Sequence, residues 1–181
     1  LFENADLCDE FFRDGQLNLN FIIARAAHLS YQYNEVLSWW GLKQYPEYRG
    51  KYGSQEEDCA RVKAKLVDDM FARLLEALEE QGQLENTVIC ISGDHYPYGM
   101  NPETWNEFYG GEMDTDFEVY RSTLILWSGD MEEPVVVDTP CSSIDILPTL
   151  SNLFGLEYDS RLMVGRDVFS DAMPLVWNAN Y

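Results

Sequence analysis

The strongest constraint on how this chain folds is a single long amphipathic helix running almost directly into a short apolar strand. From about Ser54 to Gln81, the residues Val62, Leu66, Val67, Met70, Phe71, Leu74, Leu75 and Leu78 recur at helical spacing and form one apolar stripe. Ser54 followed by Glu57 has capping-box spacing, in which each side chain satisfies an orphan backbone N–H at the helix start. Gly82 is placed to end the helix in a left-handed conformation. Thr87–Ile91, entered through Asn86, is a β-branched and apolar run that predicts a buried strand.

Around this pair, helical and strand-like stretches alternate, with no internal repeat and no low-complexity segment. The pattern predicts an α/β layered domain with a mostly parallel sheet. Glu3–Arg13 reads as a short helix and Leu17–Ala24 as a partly alternating strand. The stretch Ala26–Tyr52 reads as a long irregular segment rich in aromatics, of the kind that is functional or packed down by its own side chains. Ser122–Trp127 predicts a second strand and Pro134–Val137 a third. Ser142 or Ser143 caps a helix over Ile144–Phe154, with Gly155 as its stop and Pro148 near enough to its start to be tolerated. Arg161–Tyr181 reads as turns and a short extended tail.

Composition removes several classes of function. Hydrophobic residues make up 46% of the 181, far more than a disordered chain carries. The 12 Lys and Arg against 32 Asp and Glu give a formal net charge of -20, which repels polyanions and argues against nucleic-acid binding. The acidic residues read as a solvated surface, Asp68 and Asp69 on the long helix among them. No uninterrupted apolar stretch is long enough to span a bilayer. Leu1-Phe2-Glu3-Asn4 has neither the basic region nor the apolar run of a signal peptide, and no initiator Met, so the chain reads as a piece of a longer protein. Cys8, Cys59, Cys90 and Cys141 form no C-x-x-C pair, and Cys90, inside the strand, reads as a small core residue.

His28 and His95 are the only histidines, which localises any metal or acid–base chemistry. The strand ends at Ser92-Gly93-Asp94-His95, and ligands bind open α/β sheets at the C-terminal ends of their strands. Gly93 tolerates the backbone angles that would turn Asp94 and His95 toward one ion. An oxygen and an imidazole nitrogen suit zinc, manganese or magnesium. For an isolated Asp-His pair the simpler account is a turn, with Asp94 accepting a backbone hydrogen bond and His95 a polar loop residue. His28, also just past an expected strand, is placed either to donate to an anionic substrate oxygen or to bond within its aromatic loop.

The segment Leu84-Glu85-Asn86-Thr87-Val88-Ile89-Cys90-Ile91-Ser92-Gly93-Asp94-His95-Tyr96 resembles the sulfatase family of the alkaline-phosphatase superfamily, and within it the lipoteichoic acid synthases and related phosphoglycerol transferases. Three further pieces agree in order. Ala27-His28-Leu29-Ser30-Tyr31 is similar to the family's G-H-x-P-Y segment, and Ser143-Ile144-Asp145-Ile146-Leu147-Pro148-Thr149-Leu150 to its I-D-I-x-P-T-L helix start. Gly155 and Gly165-Arg166-Asp167-Val168-Phe169 match the helix stop and the G-x-D-L/V-F turn beyond it. Arg25-Ala26-Ala27 departs from the usual small T-V-S-G run, and Ser30 from the Pro.

The resemblance implies a three-layer α/β sandwich of alkaline-phosphatase/sulfatase type, with residues 1–181 as the C-terminal part of the catalytic domain and the N-terminal half supplied by polypeptide before Leu1. It implies Asp94 and His95 as ligands of a divalent ion (Mn, Mg, Zn or Ca) and His28 as a substrate-contacting residue. The nucleophile and a further acidic ligand belong to the N-terminal half, so this piece alone is expected to be inactive. The implied reaction is attack by a metal-activated hydroxyl on a phosphate or sulfate ester, lipid-linked substrates included, through a covalent intermediate. Location at the extracytoplasmic face of the cell membrane follows from the same likeness. The competing reading, favoured by the altered His28 segment, is a non-catalytic binding or structural domain that keeps the fold.

Overall fold

In the computed structural model, which describes residues 19–176, the chain forms two units, Leu1–Asp130 and Met131–Tyr181. The first contains helices α1 (Val36–Gln44), α2 (Gln55–Glu80) and α3 (Pro102–Tyr109) and strands β1 (Val88–Ser92) and β2 (Leu124–Ser128). The second contains one helix, α4 (Ile146–Leu153), flanked by 3-10 turns at Ser143–Asp145 and Ser160–Leu162.

The long helix forms where its stripe and caps place it. The Ser54 side chain accepts the Glu57 N–H at 3.0 Å, while the Glu57 carboxylate reaches past Ser54 to the Gly53 N–H, also at 3.0 Å. The reciprocal half of the capping box is thus displaced by one residue. At the other end, Gly82 has φ 66° and a Schellman closure follows, with Gly82 N–H on the Glu79 carbonyl and Gln83 N–H on that of Leu78.

Against α2 lies a helix where the sequence predicts an irregular segment. α1 is capped by Glu35, whose carboxylate accepts the Ser38 N–H at 2.9 Å. Its Gly41 sits so close to α2 that a Cβ there would lie 3.1 Å from a Val62 methyl. Leu42, Cys59 and Val62 form the buried centre of this contact, with Tyr31, Tyr33, Tyr45 and Tyr48 packed around it. These four tyrosines of the expected loop are therefore the wall of a helix–helix core, while Trp39 and Trp40 stay exposed. Beneath them, buried Asp58 accepts the Tyr33 hydroxyl and the backbone N–H groups of Gly50 and Tyr52, pinning the turn between the helices.

The sheet departs from expectation in direction. β1 and β2 pair antiparallel, with Val88 opposite Ser128 and Ser92 opposite Leu124. Two short apolar runs look the same whichever way they are laid together, so their sequence carries no direction. Among the described residues these are the only strands, so a three-layer stack is not present there. The expected strand at Leu17–Ala24 lies partly outside the described residues. Its described part is extended coil, with Leu19 94% and Phe21 89% exposed, so no layer holds it. Pro134–Val137 is likewise coil, since Pro134 brings no N–H to a ladder. Cys90 is exposed rather than buried: Ile89 and Ile91 turn toward α2, and Cys90 faces the opposite way. The helix expected at Glu3–Arg13 lies outside the described residues.

The second unit is organised by Asp145, which is 1% exposed. Its carboxylate accepts the Ser142 N–H at 2.9 Å and the Arg166 N–H at 2.8 Å, completing a capping box and holding the Gly165 turn against the start of α4. Buried Thr149 donates to the Asp145 carbonyl and accepts the Val168 N–H. Gly155, at φ 61°, ends the helix as predicted.

Candidate functional site

β1 delivers the chain to Gly93-Asp94-His95, and the turn there is not a left-handed one. Gly93 lies outside the positive-φ region; the close neighbour is the Ser122 hydroxyl, which would stand 2.9 Å from a Cβ at this position and would have to rotate away. The backbone then folds so that the Asp94 carboxylate accepts the His95 N–H at 3.0 Å, the hydrogen bond of the simple turn. The two side chains nevertheless face each other, with His95 Nε2 3.4 Å from the second Asp94 oxygen. Because the Tyr96 carbonyl can only accept, the His95 Nδ1 at 2.8 Å must be its N–H donor, which leaves Nε2 as the nitrogen turned to the carboxylate.

His28 comes to the same place from the other direction. Its ring stands edge-on to that of His95, with centroids 6.2 Å apart and planes at 86°. His28 Nδ1 lies 3.2 Å from the Leu29 carbonyl, so it too donates through Nδ1 and leaves Nε2 free. Leu29 seats its side chain over Gly99, where a Cβ would meet Leu29 Cδ1 at 2.7 Å, and this locks the two histidine loops together. The Tyr98 ring lies tilted against that of His95, with centroids 4.9 Å apart and planes at 41°, and Tyr96 packs edge-on against Tyr120 and Trp105.

His28, Asp94 and His95 all line one open cleft of about 490 Å³, together with Arg25 and Tyr31. Arg25 makes no ion pair or side-chain hydrogen bond among the described residues, so its guanidinium is available to a ligand. Sequence reasoning missed it; the signal was a lone cation beside His28 in a chain so rich in acids.

The donor set suits a divalent ion only in part. An oxygen and a nitrogen each about 2.1 Å from a tetrahedral ion stand roughly 3.4 Å apart, which is the separation found between Asp94 and His95. The backbone carbonyl on His95 Nδ1 is the outer partner that ligating histidines commonly use. Yet among the described residues no group of three or more His, Cys, Asp or Glu side chains could hold a metal ion. Two ligands alone do not make a closed metal site.

Lys63 is the other residue that sequence reasoning passed over. It lies beside Val62 on the buried side of α2 and is 1% exposed, and a cation on an apolar face was the signal. Its ammonium donates to the carbonyls of His28 and Ser30 and to the Glu35 carboxylate at 3.1 Å. Burial acts to raise the Glu35 carboxyl, but the N–H groups of Ser38 and Leu37 and the Lys63 ammonium outweigh it and hold it below the usual range. Burial pushes the Tyr31 hydroxyl up.

A β-strand thus hands an Asp-His pair to a cleft, where a second histidine faces it from a separate loop. The sulfatase family model matches residues 27–156, and the chain belongs to that family. It is similar to the lipoteichoic acid synthase of Staphylococcus saprophyticus, 28% identical over 109 residues that cover 59% of this chain and 17% of the relative. The Staphylococcus aureus lipoteichoic acid synthase gives the same figures. The lipoteichoic acid synthase-like YvgJ of Bacillus subtilis is 26% identical over 109 residues, 57% of this chain and 18% of the relative. The matched stretch thus spans less than a fifth of these relatives. No solved structure matches the chain. Membership fixes the class as α/β; no helix among the described residues is long and apolar enough to cross a membrane.

Proposed function

We propose that this chain carries the substrate-facing part, and half of the metal site, of an enzyme that cleaves or transfers a phosphate or sulfate ester, phosphoglycerol transfer being the form suggested by its relatives. The observation that carries the reading is the convergence on one cleft of His28 with the sequence-distant pair Asp94 and His95. Asp94 offers a carboxylate oxygen and His95 its Nε2, with the Tyr96 carbonyl holding the imidazole in the donor-ready tautomer. Together they would hold a divalent ion (Mn, Mg, Zn or Ca), which would supply acidification of an attacking hydroxyl and charge neutralisation on the transferring group. His28, with Nδ1 occupied by the Leu29 carbonyl, presents Nε2 to a substrate oxygen, stabilising it or giving the leaving alcohol its proton. The Arg25 guanidinium presents paired N–H groups to the non-bridging oxygens of the same ester. The nucleophile and the remaining ligands come from polypeptide preceding Leu1, and the domain works at the outer face of the cell membrane.

Manganese titration of the native gene product and of its Asp94→Asn variant tests the reading, with turnover of bis(p-nitrophenyl) phosphate and of p-nitrophenyl sulfate followed in parallel. The variant is expected to lose at least about tenfold in manganese affinity and to lose turnover of whichever ester the wild type cleaves. Equal affinity in the two proteins removes the metal site, and a wild type inert toward both esters favours the non-catalytic domain.

A further inference from the structure

The segment carrying His28 belongs to no helix or strand, yet its backbone is held at every step. The Ala27 carbonyl accepts the Tyr31 hydroxyl at 2.9 Å, and the Leu29 carbonyl accepts His28 Nδ1. The two carbonyls between and beyond, those of His28 and Ser30, both accept from Lys63. Four consecutive carbonyls are thus satisfied by side-chain donors, and the only one of those donors from outside the segment is Lys63, on the rigid body of α2.

We infer that Lys63 is the positioning residue for His28: its buried ammonium binds the carbonyls on either side of Leu29 and so fixes the direction in which the His28 ring enters the cleft. The inference rests on the reading of His28 given above. An ammonium has three N–H donors, and here the His28 carbonyl, the Ser30 carbonyl and the Glu35 carboxylate take one each. A buried cation so fully committed has no donor left for a ligand, so Lys63 acts on the backbone and not on substrate. Glu35 supplies the compensating charge and is itself fixed, because the same carboxylate caps α1 through Ser38. The Tyr31 ring lies over the ammonium at 5.3 Å and donates its hydroxyl to the same segment, closing the clamp. Helix–helix packing of α1 on α2 is thereby converted into the orientation of one imidazole.

The test is a double-mutant cycle on the native gene product between Lys63→Met and His28→Ala, assayed with bis(p-nitrophenyl) phosphate or p-nitrophenyl sulfate, whichever the wild type turns over. Lys63→Met is expected to lower kcat 10- to 100-fold with manganese affinity unchanged, and the double variant to be no slower than His28→Ala alone. A second readout needs no turnover: with two histidines in the described chain, ring nitrogen NMR gives a Nδ1–H signal for each. Lys63→Met should average the tautomers of His28 while leaving His95 as it was. Should Lys63→Met not fold, Lys63→Arg takes its place, with a smaller loss but the same dependence on His28. Losses that multiply, or an unchanged His28 signal, overturn the inference. If His28→Ala is inactive and Lys63→Met is not, the Lys63 assignment falls alone; if His28→Ala turns over normally, the roles of both residues fall.

Discussion

Asp94 and His95 meet because Gly93 lets the backbone leave β1 hard against Ser122. A methyl at Gly93 would stand 2.9 Å from the Ser122 hydroxyl, a contact that only a rotation of that side chain relieves. Gly93→Ala is therefore expected to cost about 1 kcal/mol, at the low end for overpacking, and adding Ser122→Ala should recover most of it. Urea unfolding of the wild type and these two variants measures this directly. At this scale the sequence was informative about which residues gather at the cleft and uninformative about how. The Asp-His pair and both histidines could be singled out from their place after an apolar run, but the glycine was credited with the wrong task. Its sequence cannot distinguish a residue chosen for its φ from one chosen because a neighbour's side chain occupies the space.

Elements were legible where their ends carry chemistry. The helix α2 was delimited by Ser54 and Gly82, and α4 by Ser142 and Gly155, because caps are read from a few adjacent residues. α1 was not, since Trp39-Trp40-Gly41 interrupts any stripe and Glu35, a less usual cap, starts it. α3 went unread although Asn101-Pro102 and Gly110 bracket it. Two substitutions separate the weight of caps from that of close approach. Ser54→Ala removes one accepted N–H and is expected to cost about 1 kcal/mol. Gly165→Ala would drive a methyl to within 2.0 Å of the Ile144 carbonyl, where only backbone can yield, so roughly 2–3 kcal/mol is expected. Thermal unfolding that ranks Ser54→Ala as the worse of the two would contradict this account. The segments around Asp145 and Gly165, which carried half of the family likeness, are thus explained by mutual packing and not by the cleft.

For the molecule as a whole, charge dominates the response to solvent. Glu35, Glu57 and Asp69 all have carboxyls held below their usual range. Burial raises Glu57 but its bonds from Arg61 and Gly53 outweigh this, and Asp69 is lowered by Lys65 and then Tyr45. A carboxylate depressed by folding contributes stability that is complete above its unfolded value, about 4, and is lost as pH falls through the folded one. Glu107 works the other way, raised by burial and then by Glu57. Asp159 is also lowered, by its bonds from Arg161, so with four against one the urea midpoint is expected to hold between pH 7 and 5 and to drop below about pH 4. At pH 7 the net charge of -20 makes the folded chain repel itself, so added salt should raise the thermal midpoint. Whole-molecule architecture was the least legible level: strand direction is set by contacts distant in sequence, which a run such as Val88–Ser92 does not encode.

The outward turn of Cys90 has a practical result. Of the described cysteines, Cys59 is buried and Cys141 half-buried, so Cys90 is the thiol a labelling reagent reaches first. It lies on β1 four residues before Asp94, roughly 13 Å along an extended chain. A nitroxide attached there, with Cys8 and Cys141 replaced by Ser, becomes a ruler fixed to the strand that leads into Asp94. Paramagnetic broadening of its spectrum by manganese would then report occupancy of the cleft in a protein with no turnover at all.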